Sequence, residues 1–222
     1  RSMIDERPAE MAADQLAGLL CARLCHDLVS PVSALSAALS VLDDSSASDM
    51  HEDAMDLVRE SARQSQAKLE FSRIAFGAAG SAPGILDTRE LQRLVEGMFS
   101  ASKPDIVWKV EAAGLEKSAA RLLLNLSMLA VDSVPRGGTV TIEATESGGS
   151  SRLRLVSEGR RARLEEAVIR ALDGLNPENG FDGRSIQPYY AGLIARSAGG
   201  RVSAHADEER IEIVALVETP AA

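Results

Sequence analysis

Aromatic residues are scarce in this 222-residue chain, and its 24 basic residues are outnumbered by 33 acidic ones. Phe, Trp and Tyr make up 3% of the sequence, so the core must consist mainly of aliphatic side chains, which favours packed helices. The net charge is −9, and phosphate backbones attract basic surfaces, so we expect no nucleic acid partner. No apolar run approaches the roughly 20 residues that a membrane span needs. The polar segment 1–11 is not a secretory signal. These features predict a cytoplasmic protein that binds no membrane.

Cysteine is also rare, and the two cysteines present, Cys21 and Cys25, lie one helical turn apart just before His26. The simplest interpretation is a reduced thiol pair. The alternative, a Cys-Cys-His metal site, needs a fourth ligand and converging side chains. Cys25 and His26 are adjacent, so on a helix their side chains diverge by about 100°. We therefore expect no bound metal.

The distribution of apolar and turn-forming residues divides the chain into two domains. Residues 11–78 predict two helices separated by a polar break at 43–49. A Gly-, Ala- and Ser-rich linker at 79–84 leads to a second domain at 85–217. There the patterns mix, which predicts an α+β domain with one sheet and helices on one face. The predicted helices and strands are helices 88–101, 117–133, 163–172 and 185–198, and strands 106–110, 139–145, 152–157, 201–206 and 210–217.

The first helix carries a heptad-like apolar seam. Its spacings are 4, 4, 3, 4, 4 and 3 residues, and its members are Leu20, Leu24, Leu28, Pro31, Leu35, Leu39 and Leu42. A two-helix hairpin has too little core alone. Two hairpins that pair as a four-helix bundle would bury both seams, so we expect a homodimer.

His26 lies two residues from both Leu24 and Leu28, so at about 100° per residue it points away from the seam towards solvent. Its neighbours on that face are small or medium in size, which leaves room for another protein to dock on the imidazole. These neighbours are Ala22, Val29, Ser30, Ser33 and Ala37. Pro31 has no backbone N–H, so the carbonyl of Asp27 loses its usual helical donor and the helix should bend there.

The string His26-Asp27-Leu28-Val29-Ser30-Pro31 resembles the phosphoacceptor box of histidine kinases. In that box a histidine is followed by an acidic residue and then by a proline. The second domain adds to the resemblance, because 125–142 resembles the kinase helix that carries two nucleotide-binding asparagines, followed by a proline, two glycines and a strand. Asn125 keeps the first asparagine. The second, which holds magnesium in kinases, falls on Leu129, and an apolar side chain cannot coordinate a hard cation.

Further nucleotide ligands of the kinases are missing from this sequence. Ser157 stands where kinases have the aspartate that reads adenine, and Arg161 replaces a glycine. The stretch 187–193 takes the place of the glycine-rich lid, and only the pair Gly199-Gly200 is kept. The resemblance thus implies a kinase-like ATPase domain without its ligands for nucleotide.

Over residues 16–217, and most closely at 22–31 and 71–77, the sequence is similar to the ChpT-type histidine phosphotransferases of alphaproteobacteria. That resemblance implies an antiparallel helical hairpin, paired as a four-helix bundle in the dimer, followed by a degenerate ATPase-like α/β sandwich. It implies that His26 takes phosphoryl from the receiver domain of a hybrid kinase and passes it to a response regulator. The magnesium ion would belong to the receiver, so we expect no bound cofactor here.

The residues around His26 have two interpretations each. Asp27 either orients the imidazole ring or forms a helix-surface salt bridge with Arg23, four residues earlier. Arg23 either steers a phosphorylated partner or has no role. Together with Ala22, Val29, Ser30 and Ser33, it forms the predicted docking surface for receiver domains.

Two other functions compete with phosphotransfer. One is an ATP-binding histidine kinase fragment, against which Leu129, Ser157 and the missing glycine lid argue. The other is a non-catalytic dimer that binds a response regulator without exchanging phosphate, and the sequence alone does not separate it from a phosphotransferase.

Overall fold

The computed structural model describes residues 11–77, 84–175, 180–183 and 185–218. Most of the predicted linker at 79–84 and most of the segment 1–11 lie outside the described residues. The fold is α+β, as predicted, with a helical hairpin first and a sheet covered by helices second.

Two long helices form the hairpin. Helix α1 spans Ala13–Asp43 and helix α2 spans His51–Ala75, joined by a 3-10 turn at Ser45–Met50. The polar break predicted at 43–49 is stabilised by the Asp44 carboxylate, which accepts hydrogen bonds from the Ser46 backbone amide at 2.8 Å and hydroxyl at 2.6 Å. This is the pattern by which a short acidic side chain caps a new helical segment.

The described residues of the second part form a five-stranded sheet, a two-stranded sheet and four helices. In chain order the elements are β1 (Ile85–Asp87), α3 (Thr88–Met98), β2 (Asp105–Val110), β3 (Gly114–Glu116), α4 (Lys117–Asp132), β4 (Thr139–Ser147), β5 (Ser150–Glu158), α5 (Glu166–Leu172), α6 (Ile186–Ser197), β6 (Arg201–Asp207) and β7 (Arg210–Glu218). In the five-stranded sheet the order is β2-β4-β5-β7-β6, with β2 parallel to β4 and all other neighbours antiparallel.

Several features of this domain differ from the sequence prediction. The helix predicted at 88–101 ends at Met98, and the strand predicted at 152–157 begins at Ser150. The short antiparallel pair β1 and β3 was not predicted, because three residues are too few to show an alternating pattern. Helix α5 begins at Glu166 and not at 163. The Arg163 backbone N–H donates to the Ser133 carbonyl at 2.9 Å, which holds the residues before α5 against the end of α4.

Helix α4 forms the centre of the core. Twelve of its sixteen residues are buried, including an unbroken run over 122–131, as expected of a helix enclosed on all sides. One side contacts β5 and β7, and other sides contact α2, α3 and α6. The opposite face of the sheet carries an ion-pair cluster in which Arg154 donates to Glu143 at 2.8 Å and to Glu212 at 2.5 Å.

The hairpin and the second part share this core. Phe71 and Ala75, at the end of α2, are fully buried in the main apolar cluster. Near the start of α1, Leu16, Leu19 and Leu20 pack on α5 and α6, against Ala171, Ile186 and Tyr189. Leu20, the first member of the predicted dimer seam, therefore packs within the chain.

Helix α1 is unusually apolar for an exposed helix. One 18-residue window is apolar enough for the helix to cross a membrane, by length and composition alone. Only 17% of that window is buried in the structure. The sequence of α1 has no continuous apolar run of this length, because Arg23, His26 and Asp27 interrupt it. Core helices of water-soluble proteins have the same composition, and α1 packs along α2.

Candidate functional site

His26 lies almost one turn after Arg23 on α1 and faces solvent, with 66% of its side chain exposed. This confirms its predicted direction. Ala22, Val29, Ser30 and Ser33 are exposed on α1 around it, and Val29 is 61% exposed. Arg23 differs from the rest of the predicted docking surface, because its side chain is only 13% exposed.

Asp27 makes both of the contacts that the sequence left as alternatives. Its side chain is 9% exposed, and one carboxylate oxygen, Oδ2, accepts from Arg23 Nε at 3.0 Å. The other oxygen, Oδ1, lies 3.3 Å from Nδ1 of His26. A carboxylate can only accept, so this contact favours the tautomer that carries its proton on Nδ1. The lone pair is then on Nε2, the ring nitrogen available to a partner.

The main-chain carbonyl of Asp27 also has a partner from outside its helix. Pro31 lies inside α1 and is buried, and it cannot donate the usual hydrogen bond to the residue four positions earlier. Lys68 of α2 supplies the donor instead, with its Nζ 2.9 Å from the Asp27 carbonyl oxygen. The sequence predicted the free carbonyl but not the lysine.

Two cavities adjoin these residues. One, of about 440 Å³, opens beside His26 between α1 and the second part of the chain, and Arg163, Gln187 and Pro188 line its far wall. The other, of about 270 Å³, lies between the hairpin and α3 and α4, and contains Lys68. Arg23, Asp27 and Asp132 line both cavities.

Asp132 adds a second carboxylate to the site. It is the last residue of α4, and its Oδ2 lies 3.9 Å from Arg23 Nη2. Desolvation raises the pKa of Asp132; Arg23 opposes the rise, and the nearby Asp27 carboxylate adds to it. Arg23 thus lies between two carboxylates, one on each side of the contact between hairpin and core.

Comparison with known proteins places this arrangement in a family. Residues 88–210, more than half of the chain, match the family described as "Histidine phosphotransferase C-terminal domain". The protein phosphotransferase ChpT of Brucella abortus (strain 2308) is 38% identical over 204 residues, which cover 92% of this chain and 96% of that protein. This chain belongs to the histidine phosphotransferase family. A solved structure of a bacterial phosphotransferase, 36% identical, superposes with a TM-score of 0.83 over 94% of this chain and 98% of that one.

Membership of the histidine phosphotransferases confirms the predicted family, fold class and phosphotransferase activity. It does not favour the alternative of an ATP-binding kinase fragment. In this histidine phosphotransferase the position of the first kinase asparagine has a structural role. Asn125 is fully buried, and its Nδ2 donates to the carbonyls of Ala75 and Arg121 at 2.9 Å. Gln187 of α6 donates to the Asn125 carbonyl at 2.6 Å and to its Oδ1 at 3.3 Å.

Other positions that bind nucleotide in kinases are also turned inward in this phosphotransferase. Leu129 is 5% exposed within the main apolar cluster. The Ser157 hydroxyl donates to the Ala130 carbonyl at 2.8 Å and is buried. The segment that replaces the glycine-rich lid forms most of α6, where Tyr190 accepts a hydrogen bond from Arg121 through its hydroxyl.

Gly192 shows how tightly that replacement packs. A Cβ added at Gly192 would lie 1.9 Å from the Leu172 carbonyl oxygen, so any larger side chain would push α6 away from α5. A mobile lid needs room to move, whereas this helix packs on α4, α5 and α1. The segment is therefore part of the core.

In the part of the chain that the structure describes, no three His, Cys, Asp or Glu side chains are arranged to hold a metal ion. Cys21 and Cys25 are free and exposed. The residues near His26 that sequence reasoning missed are Lys68, Asp132, Arg163 and Gln187. Each comes from another element, and the free Asp27 carbonyl was the only signal that a donor was needed.

Proposed function

We propose that this histidine phosphotransferase carries a phosphoryl group on Nε2 of His26 and relays it between the aspartates of receiver domains. The observation that supports this most directly is the exposed ring whose Nδ1 faces Asp27, so that the Nε2 lone pair points outward. Small exposed neighbours, Ala22, Ser30 and Ser33, leave the approach to Nε2 open. Val29 offers apolar area to a docking protein.

The transfer step requires little covalent chemistry from this protein. Nε2 of neutral His26 attacks the phosphorus of a receiver's phosphoaspartate, a P–N bond forms, and the P–O bond to the aspartyl oxygen breaks with its electron pair on the receiver carboxylate. The ring becomes cationic, and Asp27 stabilises that charge through Nδ1–H. Delivery to a second receiver is the reverse step. Positioning and charge neutralisation account for catalysis in such reactions.

No cofactor bound to this chain enters the step. Magnesium is a hard cation that prefers carboxylates beside a phosphate, and the receiver's own acidic pocket is the place for it. ATP is not a substrate in this proposal, because Asn125, Leu129 and Ser157 are all committed to internal packing or hydrogen bonds.

The proposed partners are receiver domains of a hybrid histidine kinase and of a response regulator, together with a second copy of this chain. Support for the second copy comes from the hairpin, which buries few of its own residues. Those buried on α1 are Asp27, Pro31 and Ala38, whereas Val32, Leu39, Met55, Leu57 and Leu69 are each at least 39% exposed. A four-helix bundle in the cytoplasm would cover this face without a membrane.

Transfer from a ³²P-labelled receiver domain tests the proposal, with wild type, His26→Ala and a control, His205→Ala. His205 is exposed on β6, far along the chain from α1. We expect label on the wild type and the control and none on His26→Ala. Label on His26→Ala would show that another residue is the carrier.

Two further arms separate the competing functions. Incubation with γ-³²P-ATP should leave the protein unlabelled, and labelling there would indicate a kinase. If several labelled receivers bind the wild type but never pass label to it, the protein acts by binding alone and the proposal is wrong.

A further inference from the structure

Lys68 stands out because it contacts the site without belonging to the phosphoacceptor helix. It is 41 residues from Asp27 in sequence, and its Nζ reaches the Asp27 carbonyl at 2.9 Å. Pro31 cannot give that carbonyl its usual helical donor, so Lys68 is the donor that takes its place. A residue with a backbone N–H at position 31 would compete with the lysine for this acceptor.

The consequence is that Asp27 is held at both ends by cations. Arg23 holds carboxylate oxygen Oδ2 at 3.0 Å, and Lys68 holds the main chain of the same residue. Only Oδ1 remains, and it lies 3.3 Å from His26 Nδ1. A change in either cation would therefore affect the His26 ring by moving Asp27.

We propose that Lys68 is a positioning residue for phosphotransfer, which fixes Asp27 and through it the tautomer and direction of the His26 ring. This inference rests on the proposed function, and it deepens it. Fixing a flexible lysine side chain costs conformational entropy. The hydrogen bond to the Asp27 carbonyl, next to a buried carboxylate, offsets that cost because it is charge-assisted.

The charges around the 270 Å³ cavity agree with this role. Four charged residues line it, the cations Arg23 and Lys68 and the carboxylates Asp27 and Asp132. Arg23 is shared between the two carboxylates, at 3.0 Å and 3.9 Å, and Lys68 holds the Asp27 main chain. Without Lys68, Asp27 would be free to shift, and Oδ1 would no longer hold Nδ1–H in place.

The first test compares Lys68→Met, which keeps the aliphatic stem, with Lys68→Arg, which restores charge and donors, and with the control Lys109→Met. Lys109 is exposed on β2. We expect Lys68→Met to slow the maximal rate of transfer from a phosphorylated receiver on the order of 10-fold to 100-fold, as for a misplaced reacting group. The receiver concentration at half-maximal rate should not change. Lys68→Arg should recover most of the rate.

Ring nitrogen chemical shifts of ¹⁵N-histidine protein give a readout that mere folding would not move. In the wild type we expect His26 to show Nδ1 protonated and Nε2 unprotonated at alkaline pH, and in Lys68→Met a mixture of the two tautomers. Because this measurement needs no partner, it decides the role of Lys68 even if the wild type accepts no label, which would be a failure of the proposed function alone.

A double-mutant cycle with Pro31→Ala tests the route through the carbonyl. The introduced alanine has the N–H that Pro31 lacks, so it should hold the Asp27 carbonyl when the lysine is absent and make Lys68→Met less harmful there than in the wild-type background. The inference is overturned if Lys68→Met transfers at the wild-type rate, leaves the ring signals unchanged, or is equally slow in both backgrounds.

Discussion

At the residue scale, the geometry of the site depends on the buried carboxylate of Asp27, which has two partners. Asp27 contacts His26 with one oxygen and Arg23 with the other, so orientation of the ring and the internal salt bridge are two parts of one arrangement. Removing the side chain would leave Arg23, which is 13% exposed, without its nearest partner. Asp27→Ala would therefore cost stability as well as rate, about 1–3 kcal/mol for an unpaired buried group.

Asp27→Asn is the sharper variant, because it keeps the shape of the side chain. If its oxygen stays on Arg23, its NH₂ group faces Nδ1 and favours a lone pair there, so that the proton moves to Nε2 and blocks attack. We expect transfer to slow by about 100-fold, in the range typical of lost proton positioning. Asp56→Asn, an exposed aspartate on α2 paired with Arg59, is the matched control. An unchanged rate in single-turnover assays would remove Asp27 from the mechanism.

Sequence reasoning reached His26 and its direction because a helix has a fixed period, and an apolar seam sets its phase. It reached Asp27 because this residue follows His26 directly and lies four residues after Arg23. Lys68 was beyond it, because the contact joins residues 41 positions apart across the hairpin. The burial of the Arg23 side chain was not predicted either, because the surface that covers it, including Asp132, comes from the end of α4.

At the scale of elements, positions of α4 that bind nucleotide in kinases take part in packing and hydrogen bonds within this protein. Asn125 joins α4 to the last turn of α2 and to α6 through hydrogen bonds to Ala75 and from Gln187. The sequence showed which kinase ligands are absent. It did not show that the remaining asparagine had acquired protein partners, because those partners lie 50 and 62 residues away.

Asn125→Ala should lower the free energy of unfolding by about 1–3 kcal/mol, the cost of leaving buried polar groups unpaired. Urea denaturation followed by circular dichroism measures this. The control Gln66→Ala removes an exposed amide that bonds only Glu70 on its own helix, and it should change stability by less than about 0.5 kcal/mol. Equal effects of the two substitutions would mean that Asn125 has no joining role.

The end of α4 gives a prediction about pH. Desolvation raises the pKa of Asp132, so the folded protein holds this proton more tightly than the unfolded chain does. Stability contributed by the protonated form is present below the ordinary value of 3.8 and is lost as pH rises through the raised pKa. A negative charge at a helix C-terminus is unfavourable as well. The effect should be modest, because 64% of this side chain is open to solvent.

We therefore expect Asp132→Asn to melt at a slightly higher temperature than wild type near pH 7.5 and at the same temperature near pH 3. Asp105→Asn, exposed on β2, should show no such dependence. Thermal unfolding at several pH values measures both. A variant that is less stable than wild type at neutral pH would show that the ion pair with Arg23 outweighs desolvation.

At the scale of the whole molecule, the two parts are one folded unit with an incomplete hairpin. The start of α1 and the end of α2 are packed into the core of the second part. In the far half of the hairpin Val32 and Leu39 are exposed, whereas Ala38 and Ala54 are buried. The heptad spacing predicted a seam open to a partner, but of its members only Leu39 is exposed, and the others are partly or fully buried within the chain. It did not predict that Leu20 would be used within the chain, because the contact depends on where α6 lies.

We expect a second copy of the chain to cover these exposed residues, because two such faces would bury one another by an isologous contact. Val32→Glu combined with Leu39→Glu places charge on two α1 residues that are 47% and 46% exposed, which a paired surface would not tolerate. Size-exclusion chromatography with light scattering should give the mass of two chains for wild type and of one chain for the variant.

The control Ile85→Glu changes a residue that is 77% exposed on β1, outside the hairpin, and should remain a dimer. If the wild type is a monomer at all concentrations up to about 100 μM, two orders above a micromolar dissociation constant, the uncovered face belongs to another protein and the site on His26 must work within a single hairpin.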